Sequence, residues 1–207
     1  VKNDSLIDLS YNKIIKLYKN ESYVKALEQS LALRDECIER ENYYWTYKFS
    51  YLIADIYERT NKFDESLKYY QKSFNLINTA SLDQQDLRFS DIDIAETLLK
   101  IGSNYHRLAV SKEEREKSYY LDSAKIYYEK LEILPALNIE MESLIARAYV
   151  NLSAIYEKDS MYDKAESYVR KSIIIHKKYK NNLSSAVALN NLGNIFLSQK
   201  EYKKSKE

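Results

Sequence analysis

Residues 152–172 read Leu152-Ser153-Ala154-Ile155-Tyr156-Glu157-Lys158-Asp159-Ser160-Met161-Tyr162-Asp163-Lys164-Ala165-Glu166-Ser167-Tyr168-Val169-Arg170-Lys171-Ser172. A small residue, Ser153, is followed three positions later by an aromatic, Tyr156. A polar Asp159-Ser160 break leads to a second aromatic, Tyr162, and then Ala165, Val169 and Ser172 recur at helical spacing. Residues three and four apart share one face of a helix, so this stretch predicts two amphipathic helices joined by a tight turn. Small residues at facing positions let the two helices approach closely, and the rings fill the space one turn away.

The same register recurs outward from this stretch. Residues 47–80 offer Ile53, Ala54, Tyr57, Phe63, Ser66, Tyr70 and Ser73. From 186 the series is Leu192, Gly193, Phe196, Tyr202 and Ser205, and residues 7–40 keep Leu17, Tyr23, Ala26 and Ser30. A further copy over 95–138 pairs Ile101, Gly102 and Tyr105 with Leu121, Ala124, Tyr128 and Leu131. Its two small residues, Gly102 and Ala124, stand 22 positions apart, against 12 for Ser153 and Ala165, which predicts an expanded turn. Residues 79–91 form the longest polar-rich connection and are expected to be an inter-repeat loop running into a long helix.

This pattern resembles the tetratricopeptide repeat, an antiparallel helix pair of about 34 residues. The resemblance covers nearly the whole chain and implies an all-α fold, a right-handed superhelix (α-solenoid). About five repeats of roughly 34–50 residues would span 7–40, 47–80, 95–138, 146–179 and a truncated 186–207, as a single array over 1–207. Ser153 and Gly193 are 40 residues apart, so the helices should be longer than the family norm by most of a turn each. No copy can bury its apolar stripe alone, so the copies must stack.

Composition agrees. Only 2 Gly and 1 Pro occur in 207 residues, too few for the turns of sandwiches and barrels or for phosphate-binding loops. Lys+Arg 32 against Asp+Glu 31 leaves a net charge of +1, which gives no electrostatic reason for direct nucleic-acid binding. The 21 tyrosines suit helices buried on one side, with an apolar ring and a hydroxyl that tolerates water. No run approaches the roughly 18 apolar residues of a membrane span, and no basic-then-apolar leader opens the chain. The start at Val1 and the stop at Lys206-Glu207 within a helical pattern read as part of a longer protein. The compartment stays open between cytoplasm and periplasm.

Catalytic chemistry has little to stand on. His106 and His176 fall in different repeats with no cysteine or carboxylate at ligand spacing, and the single Cys37 sits in a helical stripe as a buried structural thiol. No dinucleotide, zinc-protease or nucleophile-elbow motif occurs. These absences predict a non-enzyme without cofactor or metal. The mixed run Glu113–Lys117 reads as a solvated face and His176–Lys180 as a cationic helix end.

One set of residues points to binding. Asn12, Asn151 and Asn191 share the sixth position of the first helix of their repeats, and Asn190 and Asn194 flank the last of them. In kinesin-light-chain-like members of the family, such asparagines face the concave groove and hydrogen-bond the backbone of an extended peptide. A carboxamide both donates and accepts, so it can do this whatever the peptide's side chains. The ladder is interrupted by Leu52 and Lys100, and asparagines that tie one repeat to the next are the alternative. The lysine-rich clamp of chaperone-tail binders is missing from the pairs Tyr51/Asp55, Leu99/Ser103, Val150/Ala154 and Asn190/Asn194.

The resemblance therefore implies a protein- or peptide-binding scaffold. Asn151, Asn190, Asn191 and Asn194 would contact the partner's backbone, and Tyr51, Asp55 and Arg59 would set selectivity. The Tyr- and Lys-rich repeats look like those of bacterial sensor kinases and helix-turn-helix regulators, which implies a partner-binding region of a larger signalling or transcription-regulating protein. A stand-alone adaptor is the alternative, and homo-oligomerisation is compatible with either.

Overall fold

A computed structural model describes residues 2–82, 88–136 and 138–204. Among the described residues there are nine α-helices and no strand: α1 (Lys2–Lys19), α2 (Tyr23–Glu39), α3 (Tyr43–Arg59), α4 (Phe63–Leu82), α5 (Asp91–Val110), α6 (Glu114–Glu132), α7 (Ile139–Lys158), α8 (Tyr162–Lys178) and α9 (Asn182–Lys204). They fall into two compact units, Val1–Ser111 and Lys112–Glu207. Consecutive helices pack within each unit: α1 to α5 in the first, α6 to α9 in the second.

The short turns make neighbours antiparallel, and they do so without glycine. Glu21, Glu41, Asn61, Ser160 and Lys180 adopt left-handed backbone, with φ between 52° and 59°. Behind each, an N–H reaches back to a carbonyl in the last helical turn, as in Ser22 N to Leu17 O (2.9 Å), Lys62 N to Tyr57 O (2.8 Å) and Asn181 N to His176 O (2.9 Å). These bonds satisfy carbonyls that the helix end would leave orphaned. At helix starts, Asn42 accepts from Trp45 N (3.3 Å), Asn138 accepts from Met141 N (2.9 Å), and Ser90 forms a capping box with Asp93.

The small–aromatic register is what packs. Ala54, Ser153, Ala165 and Ala124 are fully buried, and Gly102 is buried with them. In the first unit, Ile14, Ala26, Cys37, Trp45, Phe49, Leu52 and Ile56 form one core cluster across α1, α2 and α3. Burial there pushes the Cys37 thiol up to about 11, consistent with an inert structural thiol. Ser30, Ser66 and Ser172 occupy small positions of the second helices, and each buries a hydroxyl with no partner among the described residues. An unpaired buried hydroxyl costs about 1–3 kcal/mol, so a small side chain is kept at these positions at the expense of a hydrogen bond.

Two details depart from expectation. The extra residues of 95–138 do not enlarge the turn: only Ser111, Lys112 and Glu113 separate α5 from α6, and the added length is helical. The boundary between the two units also falls inside that stretch. Residues 83–87 of the expected loop, and Ser205 of the last copy, lie outside the described residues, while α4 runs on to Leu82 and α5 starts at Asp91.

Candidate functional site

In the first unit, one face of α3 carries Tyr44, Tyr47, Tyr51, Asp55 and Glu58, three or four residues apart, with Lys48 four after Tyr44. Tyr51 is half-buried, its ring edge-on to Tyr70 at 5.2 Å. Burial, then the nearby Asp55 carboxylate, holds its phenol well above the usual value. Asp55 is engaged inside the unit. Lys100 of α5 donates from Nζ to Asp55 Oδ1 at 2.7 Å and to Glu58 Oε2 at 2.9 Å. The Tyr70 hydroxyl of α4 donates to Asp55, with Glu58 Oε2 at 3.0 Å. Arg107 adds a contact to Glu58 Oε1 at 3.5 Å.

The charges of this knot stabilise one another. Burial pulls the Lys100 ammonium down, but Asp55 and Glu58 outweigh it and its pKa ends above the usual range. Burial likewise raises Glu58, and Lys100 outweighs that and leaves it below the usual carboxylate range. Arg59, fully on the surface side of α3, donates from Nε to the Tyr18 hydroxyl at 3.2 Å. Sequence reasoning treated Lys100 only as a gap in the asparagine ladder and missed its role as the cation that joins α3, α4 and α5.

The asparagines differ among themselves. Asn12 is exposed and donates to Asp8 Oδ2 at 3.2 Å. Asn190 and Asn194 are exposed one turn apart on α9; Asn191 beside them and Asn151 on α7 are half-buried. None of these four amides has a hydrogen-bond partner among the described residues. The helices that carry them are joined where Ser198 Oγ of α9 donates to Glu157 Oε1 of α7 at 2.8 Å. Such carboxamides can pair with a peptide group in either sense, since each both donates and accepts.

A second feature of this unit had no sequence signal. Tyr156 of α7 and Tyr168 of α8 stack at 5.6 Å with rings 2° from parallel, and Lys171 lies over Tyr168 at 5.0 Å and Tyr149 at 5.2 Å. Glu132 of α6 accepts from Lys171 Nζ at 2.6 Å and from the Tyr149 hydroxyl at 3.4 Å. Burial, then the Glu132 charge, pushes Tyr149 up to about 12. The cluster fastens α6, α7 and α8 together with its own cation in place.

His176 is buried in α8, and burial pushes its pKa down. Among the described residues no group of three or more His, Cys, Asp or Glu side chains could hold a metal, and no helix is long and apolar enough to cross a membrane.

Two family models match the chain, over residues 47–79 and over residues 144–207, and both are described as tetratricopeptide repeat. No curated protein matches it. Among solved structures, the crystal structure of BtubC (BKLC) from P. vanneervenii is similar, with a TM-score of 0.55 and 14% identity. The match covers 98% of this chain and 85% of that one, and at this identity it speaks for the fold alone.

Proposed function

We propose, on the premise that the chain carries tetratricopeptide repeats over residues 47–79 and 144–207, that it is a protein-interaction scaffold for an extended segment of a partner. The observation behind this reading is the set of amides on Asn151, Asn190, Asn191 and Asn194 that have no partner among the described residues. In the proposal they take the partner's backbone, whereas Tyr51, Asp55 and Arg59 act from the first unit as selectivity residues. Since Asp55 already holds Lys100 and Tyr70, its part is to shape that surface and not to offer a free charge. One continuous array over 1–207 belongs to the same proposal. So does its place as the partner-binding region of a larger bacterial signalling or transcription-regulating protein, which the Tyr- and Lys-rich repeats suggest.

The test compares wild type with Asn191→Ala, Asn194→Ala against a partner captured from the source cell and then purified. Two net hydrogen bonds at about 0.5–1.5 kcal/mol each predict affinity lower by about 1–3 kcal/mol, roughly 5- to 150-fold. Equal affinity with the helical content intact moves the binding site off this face.

A further inference from the structure

The residues that precede α5 lie against the starts of α1 and α3. The Arg88 guanidinium carbon stands 4.5 Å from the Tyr44 ring centroid. Its Nη1 donates to Asp4 Oδ2 at 3.4 Å and its Nη2 to Asn42 Oδ1 at 3.2 Å. Phe89, next in the chain, meets Tyr47 edge-on at 5.3 Å and Tyr44 at 5.8 Å. Ser90 then caps α5.

The surface beneath this pair is held by contacts of its own. Asn42 caps α3 and donates from Nδ2 to Asp4 Oδ1 at 2.9 Å. Tyr44 packs edge-on against Trp45 at 5.5 Å, and the buried Tyr47 donates its hydroxyl to Asp93 Oδ1 at 3.2 Å. The contacts that Arg88 and Phe89 make with this surface lie toward solvent. The Arg88 and Asp4 side chains are 41% and 44% exposed, and Phe89 is only half-buried. Exposed ion pairs and single cation–π contacts each contribute little.

We propose that Asp4, Asn42, Tyr44 and Tyr47 form a recognition site for an arginine–aromatic step in an extended partner segment, a site that Arg88–Phe89 occupies from within the chain. The chemistry selects this step. A planar guanidinium lies over the Tyr44 ring while two nitrogens of its rigid fork donate separately to a carboxylate and a carboxamide, a planar two-point geometry that the compact lysine ammonium does not reproduce. The following aromatic ring meets the Tyr47 ring edge-on. Internal occupancy lowers the apparent affinity for a partner in proportion to the fraction of time the site is free. The site lies in the first unit and uses none of the asparagines of the second, so it stands or falls separately from the asparagine reading.

The experiment uses the full chain and a fluorescein-labelled synthetic peptide with the sequence of residues 84–92, read by anisotropy. The double variant Arg88→Ala, Phe89→Ala should bind the peptide at least about ten-fold tighter than wild type, the gain expected if the site is occupied internally about nine-tenths of the time. Replacing the peptide's arginine by lysine should remove most of that binding, and so should Tyr44→Leu added to the double variant. Should the double change unfold the first unit, seen as lost helicity, Arg88→Gln retains Phe89 and should still show the gain. Equal affinity of wild type and either folded variant overturns the proposal. So does the absence of saturable binding to the variants up to about 1 mM peptide.

Discussion

Lys100→Met asks how much the knot between α3, α4 and α5 holds. The Lys100 side chain is 27% exposed, and its acceptors Asp55 and Glu58 are 21% and 13% exposed. Removing one partner of a buried pair costs about 3–5 kcal/mol, while an exposed pair is worth about 0–1 kcal/mol. This knot lies between those cases and nearer the first, so we expect a loss of about 2–3 kcal/mol. Methionine keeps most of the apolar stem, so little of this is cavity cost. For a cooperative unit of about 110 residues the melting midpoint should fall by roughly 6–12 °C, read by far-ultraviolet dichroism. The triple change Lys100→Met, Asp55→Asn, Glu58→Gln should recover over half of it, because no unpaired carboxylate remains. The pH dependence has a definite sign. Lys100 is raised, so its contribution is complete below the ordinary lysine pKa and is lost as pH climbs through the higher folded value. Glu58 is lowered, so its contribution is present above the ordinary glutamate pKa and is lost as pH falls through the lower folded value. The difference between Lys100→Met and wild type should therefore be level from about pH 5 to 10 and shrink in acid. A variant within about 0.5 kcal/mol of wild type at neutral pH would refute the reasoning.

Ala165 is fully buried where α8 meets α7, and Ala165→Phe should cost about 1–3 kcal/mol or more, with loss of hydrogen-exchange protection appearing first in α7, α8 and α9. An unchanged exchange pattern would show that the close contact lies elsewhere. Gly193 stands in mid-helix with no atom within 4 Å of a Cβ placed on it, so Gly193→Ala should stabilise α9 by about 0.5–1 kcal/mol. A lower melting midpoint for that variant would contradict an open surface there.

Local chemistry carried most of what the chain announces about itself. Ala54, Ser153 and Ala165 are small because two helices must touch there, and the aromatics one turn away mark the same face, so periodicity alone locates these contacts. A turn was legible from the polar break Asp159-Ser160, although left-handed backbone at non-glycine residues leaves no glycine to mark it. The 22-residue step from Gly102 to Ala124 was misread, because spacing between small residues cannot tell a longer turn from longer helices. Partner choice among long side chains was not legible at all. Lys100 meets an aspartate 45 positions away, Arg88 meets Asp4 across 84, and Glu132 gathers Tyr149 and Lys171 from two other helices. Nothing in the spacing of one helix fixes which charges of the next unit of stacking come within reach, because that depends on the offset and rotation at which whole helices pack. Periodicity and composition alone make an all-helical chain the expectation, which the described residues meet, and they mark where small residues bring helices together. Only the packing of whole helices settles which polar groups are consumed in holding them together and which asparagine amides have no partner among the described residues, because both depend on distances that no single helix contains.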